Sequence, residues 1–250
     1  MLESFKRWFA REPGGPDGRG LVQWARQHDY EVKRVREGEG LVIEGDMHRH
    51  PWRLEWGAPQ RSYILDRELR LRMELGLPQG LQMLVISRGL AEELEQAAYA
   101  MFTEGMQTRL DSGMPEEMRW LAMFQKTQVP ALKPLRHRFS AVGSAAAPVN
   151  GWLEGELAAR LAEAARDWLQ ADDPFVLMTL RGRLYLRVES LQPSAEQLEA
   201  LLKLYEVAAE RALAVAAEVN AQQQGWSTTM STAWQTAYED LPDDLDDRQH

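Results

Sequence analysis

The sequence LVIEGDMHRHPWRLEWG, residues 41–57, decides the fold class. Apolar and polar residues alternate in Trp52-Arg53-Leu54-Glu55-Trp56, which is typical of a strand with one buried face. Leu41-Val42-Ile43 predicts a second strand, and the turn-forming residues of Gly45-Asp46-Met47 and Pro51 lie between the two. Because so short a connection joins antiparallel neighbours, this stretch predicts a β-hairpin.

The same two patterns extend through the rest of the chain. Alternating apolar residues predict strands, and apolar residues at a spacing of 3.6 predict helices. The predicted strands are 30–35, 62–65, 69–75, 82–87 and a hairpin within 175–188, and the predicted helices lie near 89–103, 115–120, 151–170 and 195–220. We therefore expect an α+β fold, a mostly antiparallel sheet flanked by helices.

A faint internal repeat suggests two related α+β halves. Leu69-Arg70-Leu71-Arg72 precedes a Leu-rich helix at 90–94, and Leu135-Arg136-His137-Arg138 precedes another at 157–161. Each pair has the form of a strand with alternating arginines, a loop and a helix. We expect a first unit at 20–134 and a second at 135–221, sharing one sheet.

The two ends of the chain differ in composition from the centre. Residues 1–11 place Leu2, Phe5 and Phe9 at helical spacing, which predicts a short amphipathic helix, and a Pro/Gly-rich linker follows at 12–19. Basic residues in this helix allow weak contact of residues 2–11 with an anionic membrane surface, and the alternative is that it packs on the body.

The other end is acidic and rich in polar residues. Residues 222–250 contain an acidic run at 239–247 and few aliphatic side chains, so we expect a mobile tail. Trp226, Trp234 and Tyr238 interrupt this polar composition. They predict either docking of the tail on the body or a partner-binding motif.

Composition excludes several classes of protein. The chain has 250 residues, a net charge of −9 and no cysteine. The missing cysteines exclude disulfides, Cys-ligated zinc, iron–sulfur clusters and thiol nucleophiles. The negative charge argues against broad nucleic-acid binding, and the sequence has no run of 18 apolar residues that could span a bilayer. With no secretory signal at the N-terminus, we expect a cytoplasmic protein.

His48 and His50 are the candidate metal ligands. Residues two apart on a strand point to the same side, so Glu44 and Asp46 could join them around an ion. A chain reversal inside this stretch would destroy that arrangement, and the sequence identifies no distant third ligand. We therefore predict neither a native metal site nor a cofactor.

The order of elements around the hairpin resembles that of restriction-endonuclease-like domains. In that family, one core strand supplies Asp and the next supplies Glu-X-Lys to hold a divalent ion. Here Val42 stands at the Asp position, and Leu54-Glu55-Trp56 contains no lysine. The resemblance implies at most a degenerate domain of this kind. The alternative function is therefore such a domain, or a small-ligand enzyme with a pocket between the halves. Because other catalytic motifs are also missing, a non-enzymatic role is favoured.

Arginines on the predicted strands are the candidate partner-binding residues. Arg70 and Arg72 share one face of their strand, and Arg181, Arg183 and Arg187 flank the later hairpin. Two interpretations remain, a solvated face of paired charges or a surface for the acidic tail or an acidic partner. The leading hypothesis is a non-catalytic interaction or scaffold protein that contacts another protein or a second copy of itself through the sheet face and the acidic tail.

Three segments together carry a family resemblance, Trp52-Arg53-Leu54-Glu55-Trp56-Gly57, Glu68-Leu69-Arg70-Leu71-Arg72 and Pro115-Glu116-Glu117-Met118-Arg119-Trp120. Their combination resembles uncharacterised bacterial proteins of unknown function, over residues 20–220. The resemblance implies a bacterial, cytoplasmic protein and assigns no activity and no catalytic residue.

Overall fold

The computed structural model describes residues 18–34, 40–103 and 114–239, the last of these by backbone alone from residue 223. The predicted N-terminal helix at 1–11 and most of the predicted linker lie outside the described residues. So do residues 240–250, which hold most of the acidic run.

Eight strands form one antiparallel sheet in the order β1-β2-β3-β4-β8-β7-β5-β6. The strands are β1 (Glu31–Arg34), β2 (Leu41–Met47), β3 (His50–Gly57), β4 (Glu68–Glu74), β5 (Met83–Ser87), β6 (Phe139–Gly143), β7 (Phe175–Leu180) and β8 (Arg183–Glu189). The helices are α1 (Arg19–Gln27), α2 (Arg88–Thr103), α3 (Glu116–Met123), α4 (Ala146–Leu153), α5 (Glu156–Asp167) and α6 (Ala195–Glu239), with a 3₁₀ helix at Pro130–Leu135. The α+β fold and the antiparallel sheet are confirmed.

The predicted hairpin is also confirmed. Residues of β2 pair with β3 from Leu41 opposite Trp56 to Met47 opposite His50. His48 and Arg49 form the turn, both with positive φ, of 52° and 69°. This is the backbone that a two-residue turn between twisted strands requires.

One face of the sheet, here called the first face, carries buried or partly buried apolar residues on all eight strands. Alternate residues of β3 and β4 point to it, and Leu54, Leu69 and Leu71 are fully buried there. Helices α1, α4, α5 and α6 supply the opposing apolar side chains. Tyr205 of α6 donates its hydroxyl to the carbonyl of Leu184 in β8 at 2.7 Å, which fixes this long helix on the centre of the sheet.

The opposite face, the second face, changes chemistry along the sheet. On β5, β6 and β7 it carries buried apolar residues such as Leu84, Ile86 and Val176, which pack against α2 and α3. On β1–β4 and β8 it carries charged residues, and we call this part the charged half-face. Its polar side chains are Glu31, Lys33, Glu44, Asp46, Arg53, Glu55, Glu68, Arg70, Arg72, Glu74, Arg183, Tyr185, Arg187 and Glu189.

Two of the predicted strands were wrong. Residues 62–65 form turns rather than a strand, and the backbone at 135–138 lies at the end of the 3₁₀ helix rather than in a strand. Pro130 starts that helix and Pro134 lies inside it. Arg138 donates to the carbonyls of Ala165 and Leu169 at 3.2 and 2.5 Å, which holds the following turn against the end of α5. The strand on which the second half of the repeat depended is therefore not there.

Helix boundaries also differ from the prediction. The predicted helix at 151–170 is two helices, α4 and α5, separated at Gly155, whose φ is +69°. Backbone with this positive φ is not helical, and glycine adopts it without strain. Helix α6 continues to Glu239, past the predicted end near Asn220, so residues 222–239 are helical.

Gly45 tests the packing of the hairpin on the first face. A Cβ at this position would lie 2.7 Å from Cζ2 of Trp52 and 2.9 Å from Cδ1 of Tyr30, whose rings meet edge to face at 4.9 Å. We expect Gly45→Ala to lower the free energy of unfolding by about 1–3 kcal/mol through overpacking, measured by urea denaturation. Gly20→Ala is the matched control, because its Cβ would have no neighbour within 4 Å, and we expect it to leave stability unchanged or raised.

Candidate functional site: the charged surfaces of the sheet

Arg70 stands at the centre of the charged half-face and is paired. Its guanidinium donates to Glu55 at 2.6 Å on β3 and to Glu68 at 3.2 Å on its own strand. Arg187, opposite Arg70 in the β4–β8 register, also binds Glu68. Since Glu68 is fully buried, two arginines neutralise a carboxylate that water cannot reach.

The adjacent strands continue this network. Arg53 donates to Glu44 at 2.9 Å and to Glu55 at 2.6 Å, and Lys33 donates to Glu44 at 2.7 Å. The hydrogen bond from Lys33 is the main cause that lowers the pKa of Glu44. Burial raises the pKa of Glu55, but the bonds from Arg70 and Arg53 outweigh it, so the pKa of that carboxyl is lowered overall.

The other predicted arginines have different environments. Arg183 binds Glu74 at 2.5 Å. Arg181 lies in the turn between β7 and β8 with φ 52°, and its side chain is 75% exposed and 3.4 Å from Glu116, so it does not share the face of the others. Arg72 is exposed beside a groove of about 420 Å³ and has no hydrogen-bond partner among the described residues. The structure therefore brings four of the five arginines together, three of them with internal partners.

Trp226, Trp234 and Tyr238 all lie on α6, in the part that is described by backbone alone. Partner binding by these three residues and by the sheet arginines stays a prediction.

A buried carboxylate, Glu117, joins the covered and charged parts of the second face. It accepts from Arg61 at 2.7 Å and from the Tyr63 hydroxyl at 2.5 Å, while its Oε2 has no partner among the described residues. Burial raises the pKa of Glu117, but the bond and charge of Arg61 outweigh it, and the pKa is lowered. Burial and the Glu117 charge raise the pKa of Tyr63, which keeps this phenol neutral. From the sequence, Glu117 is predicted only to lie at the start of a helix. Its partners Arg61 and Tyr63 could not be identified, because they are more than 50 residues away in the chain.

The two candidate histidines diverge. His48 Nε2 lies 2.8 Å from Glu206 and 3.2 Å from Glu210, both on α6. His50 instead donates from Nδ1 to the carbonyl of Glu74 at 2.9 Å. The sequence could not identify the partners of His48, because they are on a helix that begins about 150 residues later in the chain.

The positions that correspond to a nuclease site face each other without forming one. Val42 pairs with Glu55 in the β2–β3 register. Val42 is an apolar residue, and both oxygens of Glu55 accept from arginines. A divalent ion at this carboxylate would have to compete with the two arginines, Arg53 and Arg70, for its oxygens.

A second charged surface lies beside the edge strand β6, and the sequence-based interpretation missed it. A groove of about 630 Å³ is lined by four cationic residues, Arg88, Lys126, Lys133 and Arg136, and by no acidic residue among those described. We call it the basic groove. A signal for it exists in the sequence, since residues 126–138 contain four Lys or Arg and no Asp or Glu.

The cations of the basic groove fall into two pairs. Arg88 binds Glu92 and Lys126 binds Glu95, each at 2.8 Å, so these charges are compensated. Lys133 and Arg136 are exposed, and their side chains have no partner among the described residues. The groove thus carries two uncompensated positive charges.

The chain matches no protein-family model and no curated protein sequence. Among solved structures, its fold is similar to that of the mycobacterial trehalose monomycolate transport factor A, TtfA, with 7% sequence identity and a TM-score of 0.46. The likeness covers 78% of this chain and 93% of the other.

In the described ranges, the helices are too short or too polar to cross a membrane. The cytoplasmic location and the membrane contact of residues 2–11 stay predictions.

The buried Glu117 network predicts a large loss of stability when it is broken. Glu117→Gln leaves Arg61 half-buried without its counter-charge, and we expect the free energy of unfolding to fall by about 3 kcal/mol. Glu116→Gln is the matched control on the same helix, because its ion pairs with Arg119 and Arg181 are more exposed, and we expect it to cost less than about 1 kcal/mol. Equal urea midpoints for the two variants would contradict this assignment.

Acid should weaken the fold through the carboxylates with lowered pKa. For Glu55 and Glu117, the stabilising contribution is complete above the ordinary value of 4.5 and is lost as pH falls through the lower folded pKa. We expect the urea midpoint to fall between pH 4.5 and pH 3. Glu55→Gln should be less stable than the wild type at pH 7 and should lose less over that range. Glu154→Gln, at an exposed position, should keep the wild-type dependence.

Proposed function

We propose that this protein is a non-catalytic interaction protein that binds an acidic peptide segment in the basic groove. The observation that carries the proposal is the excess of positive charge at Lys133 and Arg136. An exposed cation without a partner is available to a carboxylate, whereas a paired one must first give up its existing ion pair.

The charged half-face offers less to an acidic partner. Arg70 and Arg187 are already bonded to buried or half-buried carboxylates, and Arg183 is bonded to Glu74. Arg72 is its one cation without a partner among the described residues, and four acidic residues line the groove beside it, Glu31, Glu44, Asp46 and Glu74. This composition favours the interpretation of a solvated face with paired charges.

The occupant we assign to the basic groove is the acidic run 239–247 of a second copy. It contains six acidic residues in nine positions, in a chain whose net charge is −9. Val219 is packed on the core, and α6 continues from there to Glu239, which is about 30 Å at 1.5 Å per residue. The run follows this helix in the sequence, and we propose that it reaches the basic groove of a neighbour.

Such an interface would be electrostatic and sensitive to salt. Exposed charges are screened beyond about 8 Å at physiological ionic strength, so the affinity should fall steeply as salt rises. Each uncompensated cation that meets a carboxylate should contribute about 1 kcal/mol.

The test uses a labelled peptide of residues 236–250 and the full chain with Asp243, Asp244, Asp246 and Asp247 changed to Asn. These changes remove competition by the chain's own acidic run. We expect the peptide to bind, as measured by fluorescence anisotropy, and the double change Lys133→Glu and Arg136→Glu to weaken binding by about tenfold or more.

Two control variants locate the surface. Arg26→Glu changes an exposed cation on α1, away from both charged surfaces, and should leave binding unchanged. Arg72→Glu should also leave it unchanged. If Arg72→Glu abolished binding while the double change did not, the charged half-face would be the docking surface and the groove assignment would be wrong. Sedimentation velocity of the unmodified chain at low and high salt then measures whether the contact joins two copies.

A further inference from the structure

The tip of the β2–β3 hairpin meets α6 at a cluster of three metal-ligating side chains. His48 Nε2 and one carboxylate oxygen each from Glu206 and Glu210 all lie within 4.8 Å of one another. The imidazole comes from the turn, and the two carboxylates come from the helix. A cluster built from two separate elements is positioned by the tertiary fold rather than by local sequence.

The distances are close to those of a coordination shell. Zinc lies about 2.1 Å from histidine nitrogen and carboxylate oxygen, so two ligands at a tetrahedral angle are roughly 3.4 Å apart. His48 Nε2 is 2.8 Å from the Glu206 oxygen and 3.2 Å from the Glu210 oxygen. Shifts of a few tenths of an ångström in exposed side chains would open the cluster around an ion.

The helical spacing points to a cation. Glu206 and Glu210 are four residues apart, so their carboxylates lie on the same side of α6, where like charges repel. One nitrogen and two oxygen ligands suit borderline divalent ions such as Zn²⁺, Co²⁺ and Ni²⁺, while Mg²⁺ prefers an all-oxygen shell. Three protein ligands also leave a coordination position for water.

An unpartnered buried donor beside the cluster is an independent observation. A cavity of about 510 Å³ runs between α1, the hairpin and α6, and both His48 and Glu206 line it. Trp24 lines it as well, and this residue is only 2% exposed. Its Nε1 has no hydrogen-bond partner among the described residues. A buried N–H without an acceptor is costly, so an unsatisfied donor in a residue that lines this cavity calls for an explanation other than stability.

We propose that His48, Glu206 and Glu210 form a binding site for a divalent transition metal of the Zn²⁺ class. The bound ion joins the hairpin tip to α6 and stabilises their contact. His50 is not one of the three residues whose ligand atoms lie within 4.8 Å of one another, and its Nδ1 donates to the carbonyl of Glu74 at the end of β4. This site is separate from the basic groove, so either proposal can fail without the other.

A simple ion pair is the competing explanation for the same geometry. A protonated His48 would bind the two glutamates and pin the hairpin without any metal. The two explanations differ in one respect, since only the metal site makes stability depend on Zn²⁺.

The test is isothermal titration of the full, metal-free chain with ZnCl2, together with thermal unfolding with and without Zn²⁺. We expect saturable Zn²⁺ binding, with one site assigned to this cluster, and a higher Tm in the presence of Zn²⁺. MgCl2 at the same concentration should give neither saturable binding nor a higher Tm. His48→Gln and Glu210→Gln should each weaken that site by about tenfold or more and remove the Tm increase.

His50→Gln is the matched control, since it removes a histidine two residues away on the same hairpin. It should retain the wild-type affinity and the wild-type Tm increase. The three side chains that are changed, His48, His50 and Glu210, are exposed or half-buried. The Tm of each variant without metal reports whether that variant folds normally. Equal Zn²⁺ affinity in His48→Gln and the wild type, or an equal loss in His50→Gln, would overturn the proposal.

Discussion

The pairing of β4 with β8 joins strands β1–β4 to strands β8, β7, β5 and β6 in a single sheet. In this register, Leu69 lies opposite Val188 and Leu71 opposite Leu186, and all four are buried on the first face. Without this pair, β1–β4 would separate from β7, β5 and β6. The hydrogen bond of Tyr205 to Leu184 places α6 over the same point. This bond also fixes the position of α6 over the hairpin. The contact of His48 with Glu206 depends on that position.

Strands β4 and β8 also lie next to the point where the second face changes from charged to apolar side chains. One row across the sheet runs Glu44, Arg53, Arg72, Tyr185, Met178 and Leu84, from charged to apolar. Helices α2 and α3 cover only the apolar end of such rows. At the other end, the two buried or half-buried carboxylates Glu68 and Glu55 are each held by arginines from neighbouring strands. A buried charge without its partner would be strongly destabilising, so these arginines are fixed by the requirements of folding before any partner is considered.

Period-two alternation in the sequence was enough to predict the α+β class, the hairpin at 41–57 and most strands. It failed where tertiary contacts override local pattern. The segment 135–138 alternates like a strand, yet Arg138 finds its partners on α5, and the break at Gly155 depends on one left-handed residue. The compensation of charges could not be predicted either, because it depends on cross-strand register. The basic groove was missed although its signal is local, since residues 126–138 contain four cations and no acidic residue.

Charge compensation also distinguishes the charged residues that stabilise the fold from those that are available to bind a partner. Arg70 and Lys133 are both cations near the surface of the sheet, but Arg70 is only 17% exposed and bonded to two carboxylates, whereas Lys133 is exposed and without a partner among the described residues. Binding an external anion at Arg70 would release Glu68 into a buried site with one counter-charge fewer, at a cost that the new contact would have to exceed. Lys133 carries no such cost. An arginine-rich sheet face is therefore weaker evidence for recognition than two uncompensated cations in a groove.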